Sequence, residues 1–115
     1  MKQPSQIVLF RFPQADLKEG KLRPALLLGK LPGEHNDWLI CMISSQIQYY
    51  VPGFDEIVYE TDADFVGSGL KAPSIIRVGR LAVVEEEMLL GATGQIALDR
   101  LQRIKGCLAN WLTGS

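Results

Sequence analysis

Short apolar runs, separated by turn-forming residues, fill the first two thirds of the chain. Residues 7–12 are apolar and β-rich and stop at Pro13. Residues 14–21 form a polar loop, and residues 24–28 a second apolar run that ends at Gly29. A turn-rich stretch over 31–37 leads to strands expected at 38–44 and 55–60. Residues 65–70 read as another turn. Residues 74–78 and 80–84 read as one strand bent at Gly79, because an interior glycine marks a bulge. Many short strands at close spacing point to a small antiparallel barrel or sandwich.

The period changes near the C-terminus. Leu101, Ile104, Leu108 and Leu112 recur every three to four residues, with Asp99, Arg100, Gln102, Arg103 and Lys105 between them. That pattern predicts an amphipathic helix of about four turns laid on the sheet, ended near Gly114. Trp111 is assigned to core packing rather than to a dimer seam. Gly106 costs the helix about 1 kcal/mol against alanine, which a close approach to the sheet would explain.

Composition narrows the class. With 115 residues, 47% apolar and 22% charged, the chain suits one folded domain over 1–115. A net charge of −1 argues against a broadly basic nucleic-acid coat but not against a local basic site. The charge is uneven: +2 over residues 1–40, −5 over 41–70 and +2 over 71–115. A phosphate-bearing ligand would therefore meet both ends of the chain around an acidic middle. No apolar run approaches a membrane span, and the one starting at Ile7 is too short for a secretory segment. Cys41 and Cys107 offer neither metal spacing nor a disulfide framework, which fits a cytoplasmic protein.

The residues also limit the chemistry. His35 is the sole histidine, so a two-histidine nuclease within one chain and a His-rich metal site are excluded. Neither cysteine has a His/Asn partnership, and no phosphate loop of the Walker type is present. Asp62/Asp64 and Glu85 to Glu87 are read as solvated caps and edges. Two features remain. Pro24 pushes Arg23 into extended backbone at the mouth of an apolar strand, where its planar fork can meet phosphate oxygens. Ser44 and Gln46 share one face at the end of another strand, offering a hydroxyl and an amide together.

Together these segments resemble, in one order along the chain, the PemK/MazF toxins of type II toxin–antitoxin systems. Residues 7–13 are similar to the family's opening strand, and residues 21–28 to its Arg-Pro strand. Ile43-Ser44-Ser45-Gln46 is similar to its Ile-Thr-Ser-Gln stretch, residues 69–78 to its Leu-Lys-x-Pro-Ser segment, and Gly94-Gln95-Ile96 to the approach to its final helix. The chain has Ser5-Gln6 where the family has Gly-Asp, and Ser44 where it has threonine. Serine keeps the hydroxyl and loses the methyl that stiffens χ1.

The resemblance implies a mainly β fold, an SH3-like antiparallel β-barrel with a C-terminal helix, assembled as a homodimer. It implies metal- and cofactor-independent cleavage of single-stranded RNA at short sequences, and a cognate antitoxin protein as partner. Carried over by position, the catalytic residues are Arg23 and Ser44. Glu19 is the candidate general base, and Lys21, Ser45, Gln46 and Arg80 are candidates to hold RNA. Two other readings stay open: a gyrase-type poison or plain interaction barrel, and a degenerate member that binds RNA or antitoxin without cutting.

Overall fold

The computed structural model describes residues 2–11 and 21–114. Glu19 and Phe12 lie outside the described residues. The strands are β1 (Gln6–Arg11), β2 (Leu22–Lys30), β3 (Asp37–Ser44), β4 (Glu56–Val58), β5 (Ser74–Glu85) and β6 (Leu90–Gln95). Two helices follow the numbering α1 (Phe65–Ser68) and α2 (Leu98–Leu112). The strands form one six-stranded sheet in the order β4-β5-β3-β2-β1-β6, antiparallel at every step. It curls into a half-barrel with the C-terminal helix packed on it, so the expected mainly β architecture is what the chain adopts.

Both faces of the central strands are covered, which is why their apolar runs are continuous rather than alternating. On one face Ile7, Leu26, Leu28, Cys41, Ile43, Ile76 and Val78 meet Leu101, Ile104 and Leu108 of α2. On the other, Val8, Phe10, Ala25, Leu27, Trp38 and Ile40 form a second cluster, closed by Leu89. The helix is amphipathic as expected, but its last turn overshoots the sheet. Leu112 is 67% exposed, and Trp111, 62% exposed, only meets Phe54 edge-on, with centroids 6.1 Å apart. Trp111 is thus not a core residue. Gly106 has no atom within 4 Å of an added Cβ, so close packing does not account for it.

The bend at Gly79 is a bulge. Cys41 pairs with Leu81 and its neighbour Met42 with Arg77, leaving residues 78–80 unmatched. The ladder thereby loses an acceptor for Val78 N–H, and Asp55 Oδ1 replaces it at 3.1 Å. The same carboxylate takes Val51 N–H on Oδ2 at 3.0 Å. Here a buried acid serves as a backbone substitute.

The acidic middle of the chain is likewise consumed inside the fold. Arg100, expected on the wet face of α2, is 8% exposed in its side chain and directs all five N–H groups at acceptors. Its Nε and Nη2 grip Asp64 at 2.8 and 3.0 Å, Nη2 also meets Asp62 at 3.0 Å, and Nη1 meets Glu56 and the Ile57 carbonyl at 3.1 and 3.0 Å. Asp64 additionally accepts Ala97 N–H at 3.0 Å, capping the start of α2. The pair Asp62/Asp64 is therefore an anchor for a buried cation, not a solvated turn.

Removing one partner of such a cluster strands the others. Arg100→Ala is expected to cost about 3–5 kcal/mol, read as a lower urea midpoint at unchanged slope. The hydrogen bond from Arg100 holds the Asp64 carboxyl below its usual range. A lowered folded value means stability that is present above the ordinary aspartate value and lost as pH falls through the depressed one. The wild type should accordingly lose stability below about pH 4, and Arg100→Ala should lose less over the same window in a parallel series of urea titrations.

Candidate functional site

The ends of β2 and β3 bring the two sequence features together. Arg23 lies beside Phe10 in the β1–β2 ladder. The β2–β3 ladder pairs Ala25 with Met42, and continuing it by two residues sets Arg23 opposite Ser44. Ser44 in turn pairs with Ile75, and Met42 with Arg77. Strand alternation then puts Arg23, Ser44 and Arg77 on one face, the one opposite α2. Pro24 contributes by keeping Arg23 extended.

A groove of about 550 Å³ opens at these strand ends. Its polar lining is Arg23, Ser44, Ser45, Lys71, Ser74 and Thr93, and its apolar lining is Leu9, Leu22, Pro24, Ile43 and Leu70, of which Ile43 and Leu70 belong to the cluster on the α2 side. No carboxylate is among the described lining residues. Among the described residues no salt bridge joins Arg23 or Lys71 to an acid, while Glu56, Asp62 and Asp64 are engaged by Arg100. The described lining therefore carries two cations and no acid, in a protein of net charge −1.

Ser44 is 5% exposed. Its Oγ accepts Gln46 N–H at 3.0 Å, so the oxygen is fixed by its own turn while the hydroxyl hydrogen is left to donate. Ser74 by contrast donates to the Ala72 carbonyl at 2.9 Å. Thr93 Oγ1 sits 3.4 Å from the carbonyls of both Ile7 and Ser68. The far wall is built by backbone contact. Gly69 has φ +76°, and a Cβ there would strike the Thr93 carbonyl, while one on Gly94 would strike the backbone of Gly67 and Ser68. Only glycine at both positions lets α1 lie this close to β6.

Of the residues singled out from sequence, Arg23, Ser44 and Ser45 line the groove. Gln46 stands beside it, its side chain engaged by Gln48 Nε2 at 2.7 Å. Lys21, exposed just ahead of β2, and Arg80, exposed in the β5 bulge, are not in the lining. Glu19 lies outside the described residues. Sequence reasoning passed over Lys71, Ser74 and Arg77, although all three sit in the 69–78 segment that resembles the family. Thr93 carried no signal, because β6 itself was not expected.

The remaining reactive groups lie elsewhere. Cys41 is fully buried, and burial pushes its thiol far up. Cys107 Sγ rests 3.3 Å from the Gly53 carbonyl, on α2. His35 is exposed in the β2–β3 connection. Among the described residues no group of three His, Cys, Asp or Glu could hold a metal ion, and no helix is long and apolar enough to cross a membrane.

Comparison with known proteins identifies the family and the fold. The family model described as "PemK-like, MazF-like toxin of type II toxin-antitoxin system" matches residues 3–112. No curated protein sequence matches. Among solved structures, the chain is similar to the Mycobacterium tuberculosis toxin MazF-mt6, with 16% identity over 96% of this chain and 97% of that one and a TM-score of 0.67. It is also similar to an endoribonuclease in complex with its cognate antitoxin from Mycobacterial species, with 10% identity over 98% and 96% of the two chains and a TM-score of 0.68. At such identities the structural matches establish the fold.

Thiol titration checks the assignment of the two cysteines. Native protein should release one equivalent with an aromatic disulfide reagent, from Cys107, and a second only in denaturant. Cys107→Ser should abolish the native signal.

Proposed function

Since this chain belongs to the PemK-like, MazF-like toxins of type II toxin–antitoxin systems, we propose that it is a metal-independent endoribonuclease that cuts single-stranded RNA at a short sequence in the cytoplasm. The observation that supports this reading is the convergence of Arg23 and Ser44 on one groove whose described lining holds two cations and no carboxylate. Polyanion binding needs such a groove, and phosphoryl chemistry needs fixed donors where charge develops.

In the proposed step the 2′-oxygen of the ribose attacks the adjacent phosphorus. Its proton leaves to a base, the bond from phosphorus to the 5′-oxygen breaks, and that oxygen takes up a proton. The products are a 2′,3′-cyclic phosphate and a free 5′-hydroxyl. Arg23 donates to the non-bridging oxygens and stabilises charge that builds on them; its guanidinium stays protonated throughout. The Ser44 hydroxyl, its oxygen held by Gln46 N–H, donates to the same phosphate. Ser45 and Lys71 guide the strand along the groove, and Gln46 holds it at the edge. Lys21 and Arg80 add longer-range attraction from outside the lining. Glu19 is the proposed general base. The reading includes a homodimer and a cognate antitoxin, supported by the toxin family and, for the dimer, by exposed apolar Val51, Leu81 and Trp111.

Incubation of a long single-stranded RNA with EDTA present tests the reading. The wild type should yield discrete fragments whose ends define the cut sequence. Arg23→Ala and Ser44→Ala should each lower the rate by about 10²- to 10³-fold, and Ser44→Thr should retain it. A folded wild type that cuts no RNA would favour the gyrase-type or binding-only alternatives. Equal cutting by wild type and Arg23→Ala would remove Arg23 from the site.

A further inference from the structure

Immediately after Ser44 the chain makes a single 3-10 turn, Ile47–Tyr49. It is tied to the strand end by Ile47 N–H to the Ser45 carbonyl at 3.0 Å and Tyr49 N–H to the Gln46 carbonyl at 3.1 Å. The turn carries no buried residue, and its aromatic ring is 55% exposed at Tyr49. One face of that ring is occupied: the Arg77 guanidinium carbon lies 5.5 Å from the ring centroid. Arg77 projects from the same face as Ser44, one strand over and two residues along, a diagonal of roughly 7–8 Å between sheet positions. The exposed remainder of the ring is not needed for packing. A ring backed by a cation, open on its outer side and fixed beside a phosphate-binding hydroxyl is what an unstacked nucleobase requires.

Two amides complete the surface. Gln48 Nε2 donates to Gln46 Oε1 at 2.7 Å. This leaves Gln46 Nε2 as a donor and Gln48 Oε1 as an acceptor beside the turn, and such a pair can read a base edge. A purely structural role explains neither the exposure of the ring nor the pre-set amides.

We infer that Tyr49, backed by Arg77 and flanked by Gln46 and Gln48, is a nucleobase-stacking subsite that selects the base next to the phosphate held at Arg23 and Ser44. This rests on the nucleic-acid reading above but not on cleavage. The subsite contributes binding energy per base through stacking, while the amide pair contributes discrimination among bases.

Oligonucleotides that cannot be cut separate the two ideas. The probes are fluorescein-labelled 2′-O-methyl homopolymers of each base and a matched abasic backbone, with binding followed by anisotropy. The wild type should bind at least one base-bearing probe about 10- to 100-fold more tightly than the abasic one. Tyr49→Ala should collapse that ratio toward unity while leaving abasic binding unchanged, and Tyr49→Phe, which keeps the ring, should preserve it. Circular dichroism melts confirm that the variants fold; the exposed turn predicts that they do. Retention of the wild-type ratio by Tyr49→Ala overturns the inference, as does a wild type that does not distinguish base-bearing from abasic probes. Absence of RNA cutting by the wild type would refute the nuclease reading and leave this measurement intact.

Discussion

One guanidinium decides where negative charge can act in this protein. The chain between residues 41 and 70 holds five acids and no Lys or Arg, and left to itself that segment would repel any polyanion. Arg100 draws Glu56, Asp62 and Asp64 to one place, and Arg103 adds a second, exposed contact to Glu56 at 3.2 Å. The cluster joins β4, the turn before α1 and the first turn of α2. It thereby seats the helix whose Leu101, Ile104 and Leu108 close one face of the core. Desolvating that many charges is costly, and only complete hydrogen bonding of the fork offsets it. The functional consequence is indirect. With these acids engaged away from the groove, none of the three lies in the described lining beside Arg23 and Lys71.

A second constraint is coverage of the sheet on both sides. Side chains at the centre of β2 are then buried, and the groove lies where the ends of β2 and β3 come to the surface. Ser44 stands at the boundary, the last residue of β3, buried yet lining the groove. Arg23 holds the corresponding position near the start of β2. Packing of the apolar part of each strand therefore fixes the polar residue at its end, so site geometry is a by-product of core register. A slip of one residue in β2 against β3 would move Arg23 to the helix side.

Much of the sheet was legible because it is written in local pattern. The strand centres of β1, β2, β3 and β5, the Gly79 bulge and the buried stripe of α2 follow from apolar runs and period. β6 was not legible. Gly91, Ala92, Thr93 and Gly94 give an edge strand with little side chain to bury, and Gly94 serves a close backbone approach rather than a turn. The wet-face reading of Arg100 failed for a different reason: its partners are 36 to 44 residues away, and no local period reports on them. The same holds for the groove. Arg23 and Ser44 could be singled out because proline and strand alternation act locally. Lys71, Ser74 and Thr93 reach the groove only through the fold.

Serine at position 44 is less of a departure than the loss of a methyl suggests. A threonine is held in rotamer by branching at Cβ, which narrows χ1 whatever the surroundings. Ser44 is held by its surroundings instead. Its oxygen accepts Gln46 N–H, its backbone is paired with β5, and its side chain is buried. The bond to Oγ and the burial remove rotamer freedom that the missing methyl would otherwise have removed, and the pairing fixes the backbone that carries them. The turn that supplies the N–H also places Tyr49 against Arg77, so the group that orients the hydroxyl and the exposed aromatic ring belong to one six-residue element, 44–49. Orientation of the Ser44 hydroxyl and placement of the aromatic ring are thus coupled through the backbone of the turn rather than through the ring itself.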